Sequence, residues 1–274
     1  MQIELPSVGL AIMVADLERH HNWLIEGQRD LEIQDFCDPL VLNDWESCVS
    51  ESKRWLEGYE GRLGIHGAFY NLPIDAIDPE IRTVVQRRLD QALEASEALK
   101  GTHIVVHSPI STWDYNHFGG DPLSRDALFE RCHATLGPAV KRAEQIGCTL
   151  VIENIEDKNP TTWAALARSF NSPAVACSLD TGHAHYAHGS TGAPPVDYYV
   201  LAAGPDLAHI HLQDADGYAD RHWLPGEGTI RWHAIFEALR LTGANPRLVV
   251  EPNARNRPRI RDGADWLIAE GLAR

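Results

Sequence analysis

Eight short apolar runs recur along the chain, and between them lie longer stretches with apolar residues at helical spacing. The runs are VGLAIMV (8–14), LEIQDF (31–36), LGIHGAF (63–69), THIVVHSP (102–109), TLVIENIE (149–156), VACSLDTGHA (175–184), LAHIHLQDA (207–215) and RLVVEPN (247–253). Most are continuously apolar at their centres, as parallel strands covered on both faces should be. The clearest helix is PEIRTVVQRRLDQALEASEALKG, with Pro79 near its start and Gly101 as its stop signal. ALFERCHATLGPAVKRAEQIG and WHAIFEALRLTG read the same way, the first bent or broken near Pro138. Eight strand–helix units in 274 residues predict one α/β domain over 1–274, a (β/α)8 TIM barrel. A doubly wound sheet is the alternative, but no glycine-rich phosphate loop follows the first strand.

In such a barrel the chemistry sits at the C-terminal ends of the strands. Those ends carry His66 after the third run, His107 after the fourth, Glu153 after the fifth, and Asp180 with His183 after the sixth. The seventh gives His211, with Asp220 and His222 in its loop, and the eighth gives Glu251. The segment LAHIHLQDADGYADRHWLPGEG (207–228) is the richest, because His209 and His211 lie two apart and share a strand face. Residues two positions before the strand ends share the inward face: Gly64, Val105, Val151, Ser178, His209 and Val249. All but His209 are small or apolar, and His209 reads as a hydrogen-bonded core histidine. One histidine at a strand end is ordinary. Six consecutive strands ending in His or carboxylate are not, since unpaired buried carboxylates are costly and a divalent cation compensates them simply. The mixture of imidazole and carboxylate suits Mn2+, Zn2+, Co2+, Mg2+ or Fe2+ better than an all-oxygen Ca2+ cage.

Charge narrows the partners. The formal net charge of −15 is a poor surface for phosphate backbones, and only four basic residues are lysines (Lys53, Lys100, Lys141, Lys158). No apolar run is long enough to span a membrane, and the N-terminus lacks the basic start of a signal peptide. Five cysteines without a CxxC spacing read as free thiols, which together predict a cytoplasmic protein. Arg255, Arg257, Arg259 and Arg261 read as a solvated loop and helix.

The motifs IEN (152–154), SLDTGHA (178–184), HIHLQD (209–214), DRHWLPGEGTIRW (220–232) and VVEP (249–252) resemble the xylose-isomerase-like TIM-barrel superfamily. That group includes sugar (phosphate) isomerases and epimerases and the endonuclease IV type of AP endonuclease. The resemblance implies a metal held by Glu153, Asp180, His211 and Glu251, with Glu153 and Glu251 also the acid/base pair of the ketose-epimerase branch. The endonuclease branch would add metals at His66, His107, His183, Asp220 and His222, all present.

The expected function is therefore a metal-dependent isomerase or epimerase of a sugar, sugar phosphate or keto-polyol. A metal polarises the carbonyl, a carboxylate removes the neighbouring proton, and another returns it. His183 and Arg221 join the glutamates as candidates for orienting hydroxyls or neutralising the enediolate. His66, His107, Trp113 and His222 are the candidate substrate contacts, Trp113 lying in STWDYNHFGG (111–120). His183, Asp220 and His222 are expected not to hold a permanent third metal, since adjacent dications repel and loop ligands are harder to hold than strand ligands. The alternatives are abasic-site phosphodiester cleavage and a dehydratase of the inosose or dehydroshikimate type. The partner is expected to be a small sugar or keto-polyol rather than nucleic acid or membrane, with homo-oligomerisation left open.

Overall fold

Eight parallel strands close on themselves in chain order in the computed structural model, which describes residues 5–118 and 122–274. They are β1 (Val8–Ile12), β2 (Leu31–Ile33), β3 (Leu63–His66), β4 (His103–His107), β5 (Thr149–Glu153), β6 (Val175–Asp180), β7 (Leu207–Leu212) and β8 (Arg247–Val250). The predicted (β/α)8 barrel is the fold. Every strand is shorter than its apolar run, and β3, β4, β5 and β6 end on His66, His107, Glu153 and Asp180. At β6 the chain turns at once into the helix Thr181–Thr191, whose N-cap Asp180 accepts from the His183 backbone N–H at 2.7 Å. His183 thus stands on the first turn of a helix rather than at the end of a strand.

The helices follow their local signals. The helix Pro79–Leu99 is capped by the Asp78 carboxylate, which accepts from the Glu80 N–H, and ends at Lys100 with φ 59. The break expected at Pro138 is absent: the helix Pro122–Ile146 runs through it. Pro138 has no N–H for the carbonyl of Ala134, four residues earlier, and the Gln86 side-chain amide of the neighbouring helix donates to that oxygen at 3.1 Å. No helix among the described residues is long and apolar enough to cross a membrane, and the five cysteines are unpaired. Gly119 and Gly120 of the aromatic loop, and Met1–Glu4, lie outside the described residues.

Alternation along the strands divides the barrel into two regions. Outward residues such as Leu31, Ile33, Ile65, Ile104, Leu150, Ile152, Leu179, Ile210 and Leu248 pack fully buried beneath the helices, each worth about 1.5–3 kcal/mol. On the inward face Glu32, His103, His209 and His211 stand beside the small and apolar Gly64, Val105, Val151 and Val249. Glu32 pairs with Gly64 and Gly64 with His103 across β2, β3 and β4, so the missing side chain at Gly64 leaves room on the axis. A Cβ there would lie 2.0 Å from the His103 ring. Gly64→Ala is therefore expected to destabilise the protein by about 1–3 kcal/mol or more, read as a lower urea midpoint at unchanged slope. An unchanged midpoint would show that the His103 ring has free space to move into.

Candidate metal centre

Four side chains converge at the mouth of the barrel. Glu153, Asp180 and His211 end or nearly end β5, β6 and β7 and are at most 1% exposed; Glu251 follows β8. Each can place one ligand atom within 4.8 Å of the others. His211 Nδ1 lies 3.2 Å from Glu153 Oε1 and 3.6 Å from Glu251 Oε2. Glu153 Oε2 and Asp180 Oδ2 are buried without a hydrogen-bond partner. Two orphaned carboxylate oxygens beside an imidazole are what a divalent cation would satisfy, so the donor set fits a metal.

Two further groups flank these four. His66 Nε2 and His107 Nε2 each lie 3.6 Å from Glu153 Oε2. Asp220 Oδ2 lies 3.4 Å from His183 Nε2 and 3.2 Å from His222 Nε2. Backbone carbonyls select the tautomers. His66 Nδ1 is 2.9 Å from Gly67 O, His183 Nδ1 3.0 Å from Asn154 O and His222 Nδ1 3.2 Å from Glu251 O. Donating there, each ring keeps Nε2 toward a carboxylate: protonated, it donates to that carboxylate, and on losing the proton it offers the lone pair a metal needs.

The loop after β7 is more firmly held than its sequence suggests. Asp214 and Trp223 pair through two backbone hydrogen bonds, 2.8 and 3.0 Å. Gln213 donates to Asp180 Oδ1 at 3.0 Å and to Asp220 Oδ1 at 2.9 Å, while its own Oε1 accepts from the His222 N–H at 2.9 Å. The Asn253 N–H closes onto His222 O at 2.9 Å. These bonds hold His222 at φ 47, a left-handed conformation uncommon outside glycine. Asp220 and His222 are thus tied to Asp180 and to the segment after β8 through Gln213 and Asn253.

Electrostatics follow from this crowding. Burial works against the charge of Glu153, but His211, His66 and His107 outweigh it and hold its carboxyl well below the usual range. Asp180 moves the other way, to about 6, because burial and the negative Glu153 and Glu251 exceed the pull of His183 and His222. Burial lowers His211 and His183, yet the surrounding carboxylates raise both well above an ordinary histidine. His107, dominated by burial, falls to about 3.

Of the predicted residues, Glu153, Asp180, His211, Glu251, His66, His107, His183, Asp220 and His222 come together. Arg221 does not join them: it pairs with Asp216 at 2.9 Å and lies over the Tyr218 and Trp223 rings. Trp113 is 69% exposed on the rim, edge-on to His117. Sequence reasoning passed over Glu32, Gln34, Asn154, Gln213 and His103. Spacing could have exposed three of them, since Glu32 and Gln34 lie two apart and His103 lies four before His107.

Residues 31–270 match the family model described as xylose isomerase-like TIM barrel. An uncharacterized Methanocaldococcus jannaschii protein is 22% identical over 201 residues, 70% of this chain and 65% of its own length. The chain thus spans just under two thirds of that relative. The D-psicose 3-epimerase of Ruminiclostridium cellulolyticum is 24% identical over 226 residues, 80% of this chain and 71% of that protein. A solved D-tagatose 3-epimerase-like protein superposes with a TM-score of 0.72 at 19% identity, covering 97% of this chain and 98% of its own, which shows a shared fold.

The histidine pairs carry a pH signature. Burial lowers His222, but the Asp220 hydrogen bond and the charges of Glu251 and Asp180 raise it from 6.5 to about 9. This stabilisation is complete below pH 6.5 and lost as pH rises through about 9. Metal-stripped protein should therefore lose thermal stability between those values, and Asp220→Asn should flatten the loss. A profile identical in parent and variant would separate His222 from Asp220.

Proposed function

The chain belongs to the xylose isomerase-like TIM barrel family, and from that premise we propose that it is a metal-dependent isomerase or epimerase of a sugar or keto-polyol. The observation that carries this reading is the pair of glutamates meeting one imidazole nitrogen, His211 Nδ1, at 3.2 Å and 3.6 Å from two sides of the barrel. Glu153, Asp180, His211 and Glu251 would hold the divalent ion. Bound there, such an ion supplies Lewis-acid polarisation of a substrate carbonyl.

The protein's own groups do the rest. Glu251 is the more open glutamate, its side chain 12% exposed against 2% for Glu153. Its Oε1 accepts from the Gln34 amide at 2.7 Å, so Oε2 is the oxygen available to the proton next to the carbonyl. Glu153 faces it across the site and serves as its partner in returning a proton. His107, 24% exposed, and His222, 25% exposed, stand toward the opening, where they would hold substrate hydroxyls with His66 and His183. The epimerase named among the relatives supports the substrate class.

Phosphodiester cleavage is the second reading, favoured by the groups His66–His107–Glu153 and His183–Asp220–His222 on either side of the central four. Against it stands the charge of −15. A dehydratase would begin with the same proton abstraction and is distinguished by its product.

The test is incubation of the metal-loaded protein in D2O with a panel of ketoses and keto-inositols. Deuterium should enter the carbon next to the carbonyl, and Glu153→Gln or Glu251→Gln should slow this by about a hundredfold or more. Nicking of abasic duplex DNA at physiological salt with no exchange into any sugar would replace the isomerase with the nuclease. Metal content separates the readings independently. One ion per chain supports the isomerase; close to three, falling by one in a double Asp220→Asn, His222→Asn variant, supports the nuclease.

A further inference from the structure

Below the four converging residues lies a carboxylate from a strand with no other part in the site. Glu32 is fully buried on the barrel axis. Its Oε1 is 2.9 Å from His211 Nε2 and 3.0 Å from Gln34 Nε2. Its Oε2 is 3.1 Å from His209 Nε2 and 3.4 Å from His103 Nε2. An anion sealed from water must be solvated by fixed donors or lose its charge. Here three imidazoles and an amide face it, and each can present an N–H.

That requirement sets the rings. A neutral imidazole giving its Nε2–H to Glu32 keeps a lone pair on Nδ1. His209 Nε2 makes an ion-pair contact with Glu32 rather than a hydrogen bond, and its Nδ1 lies 2.8 Å from Ser178 Oγ. In His211 it is the nitrogen that faces Glu153 and Glu251. The Gln34 amide extends the network, since the nitrogen that reaches Glu32 also donates to Glu251 Oε1 at 2.7 Å. One buried carboxylate therefore touches two of the four converging residues, His211 directly and Glu251 through Gln34.

We infer that Glu32 is a positioning residue for the metal centre: it holds His211 as the Nε2–H tautomer with Nδ1 toward the ion and, through Gln34, sets Glu251. This rests on the metal reading above. A carboxylate behind a ligating histidine fixes ring orientation and strengthens the imidazole as a donor. Glu32, His103 and His209 themselves lie at metal-ligand spacing. They are fully buried, however, and the carboxylate that would bind an ion there is already the acceptor for His211.

The test is Zn2+ affinity, measured by chelator competition on the full chain, for the parent, Glu32→Gln, His103→Gln and His211→Ala, with ring-nitrogen NMR of His211 as a second readout. Glu32→Gln keeps the volume and removes the charge. It should weaken Zn2+ binding by about 10- to 100-fold and change the His211 tautomer signature, with secondary structure unchanged by circular dichroism. His103→Gln removes one imidazole facing Glu32 but keeps an amide donor there and leaves His211 untouched, so it should stay within about threefold of the parent, an effect small on that scale. If Glu32→Gln fails to fold, Gln34→Leu takes its place: it cuts only the link to Glu251 and should weaken binding by about three- to tenfold, less than the loss of the carboxylate itself. Parent-like affinity and tautomer in a folded Glu32→Gln variant, or parent-like affinity in Gln34→Leu, while His211→Ala loses the ion, would overturn the inference and leave the metal reading standing. Retention of the ion by His211→Ala would overturn the metal reading itself.

Discussion

Negative charge on the axis of a closed barrel is the constraint around which this structure is arranged. Glu32, Glu153 and Asp180 are at most 1% exposed, and Glu251 stands just above them. Water cannot solvate them there, and no lysine or arginine is among the partners of these carboxylates within the described residues. Imidazoles take that part instead. His103 and His209 face Glu32, His211 lies between Glu32 and Glu153, and His66 and His107 face Glu153. Space for the rings comes from Gly64, where any side chain would collide with His103. The apolar scaffold outside the strands supplies the stability that lets such a polar interior persist.

Histidine suits this place because its two nitrogens can be assigned separately. In His66, His183 and His222 a backbone carbonyl lies against Nδ1, leaving Nε2 free to face a carboxylate. In His211 the order is reversed, with Glu32 against Nε2 and Nδ1 turned toward Glu153 and Glu251. The mouth of the barrel is therefore lined with imidazole nitrogens and carboxylate oxygens whose directions these bonds set. Preorganisation of this kind lowers the cost of holding a cation or orienting a hydroxyl. Backbone strain at His222 is part of the same arrangement, maintained by Gln213 and Asn253.

Much of this was legible in the amino-acid sequence. Eight apolar runs separated by helical stretches, with no glycine-rich phosphate loop after the first, point to a parallel barrel over a doubly wound sheet. Residues at the ends of those runs collect at one mouth, so Glu153, Asp180, His211, Glu251 and the flanking histidines could be named from position alone. Tertiary structure decided the rest. Alternation says that Glu32 and His103 face inward, but their meeting depends on closure, which joins residues 71 apart for Glu32 and His103 and 179 apart for Glu32 and His211. Arg221 sits in a polar stretch that suggests catalysis, yet a neighbouring carboxylate, Asp216, captures its guanidinium. Pro138 should interrupt its helix by local rules, and a glutamine from another helix takes up the orphaned carbonyl. In each case the local pattern specifies which way a group points, and only the closed barrel and its packed helices supply the partner it meets.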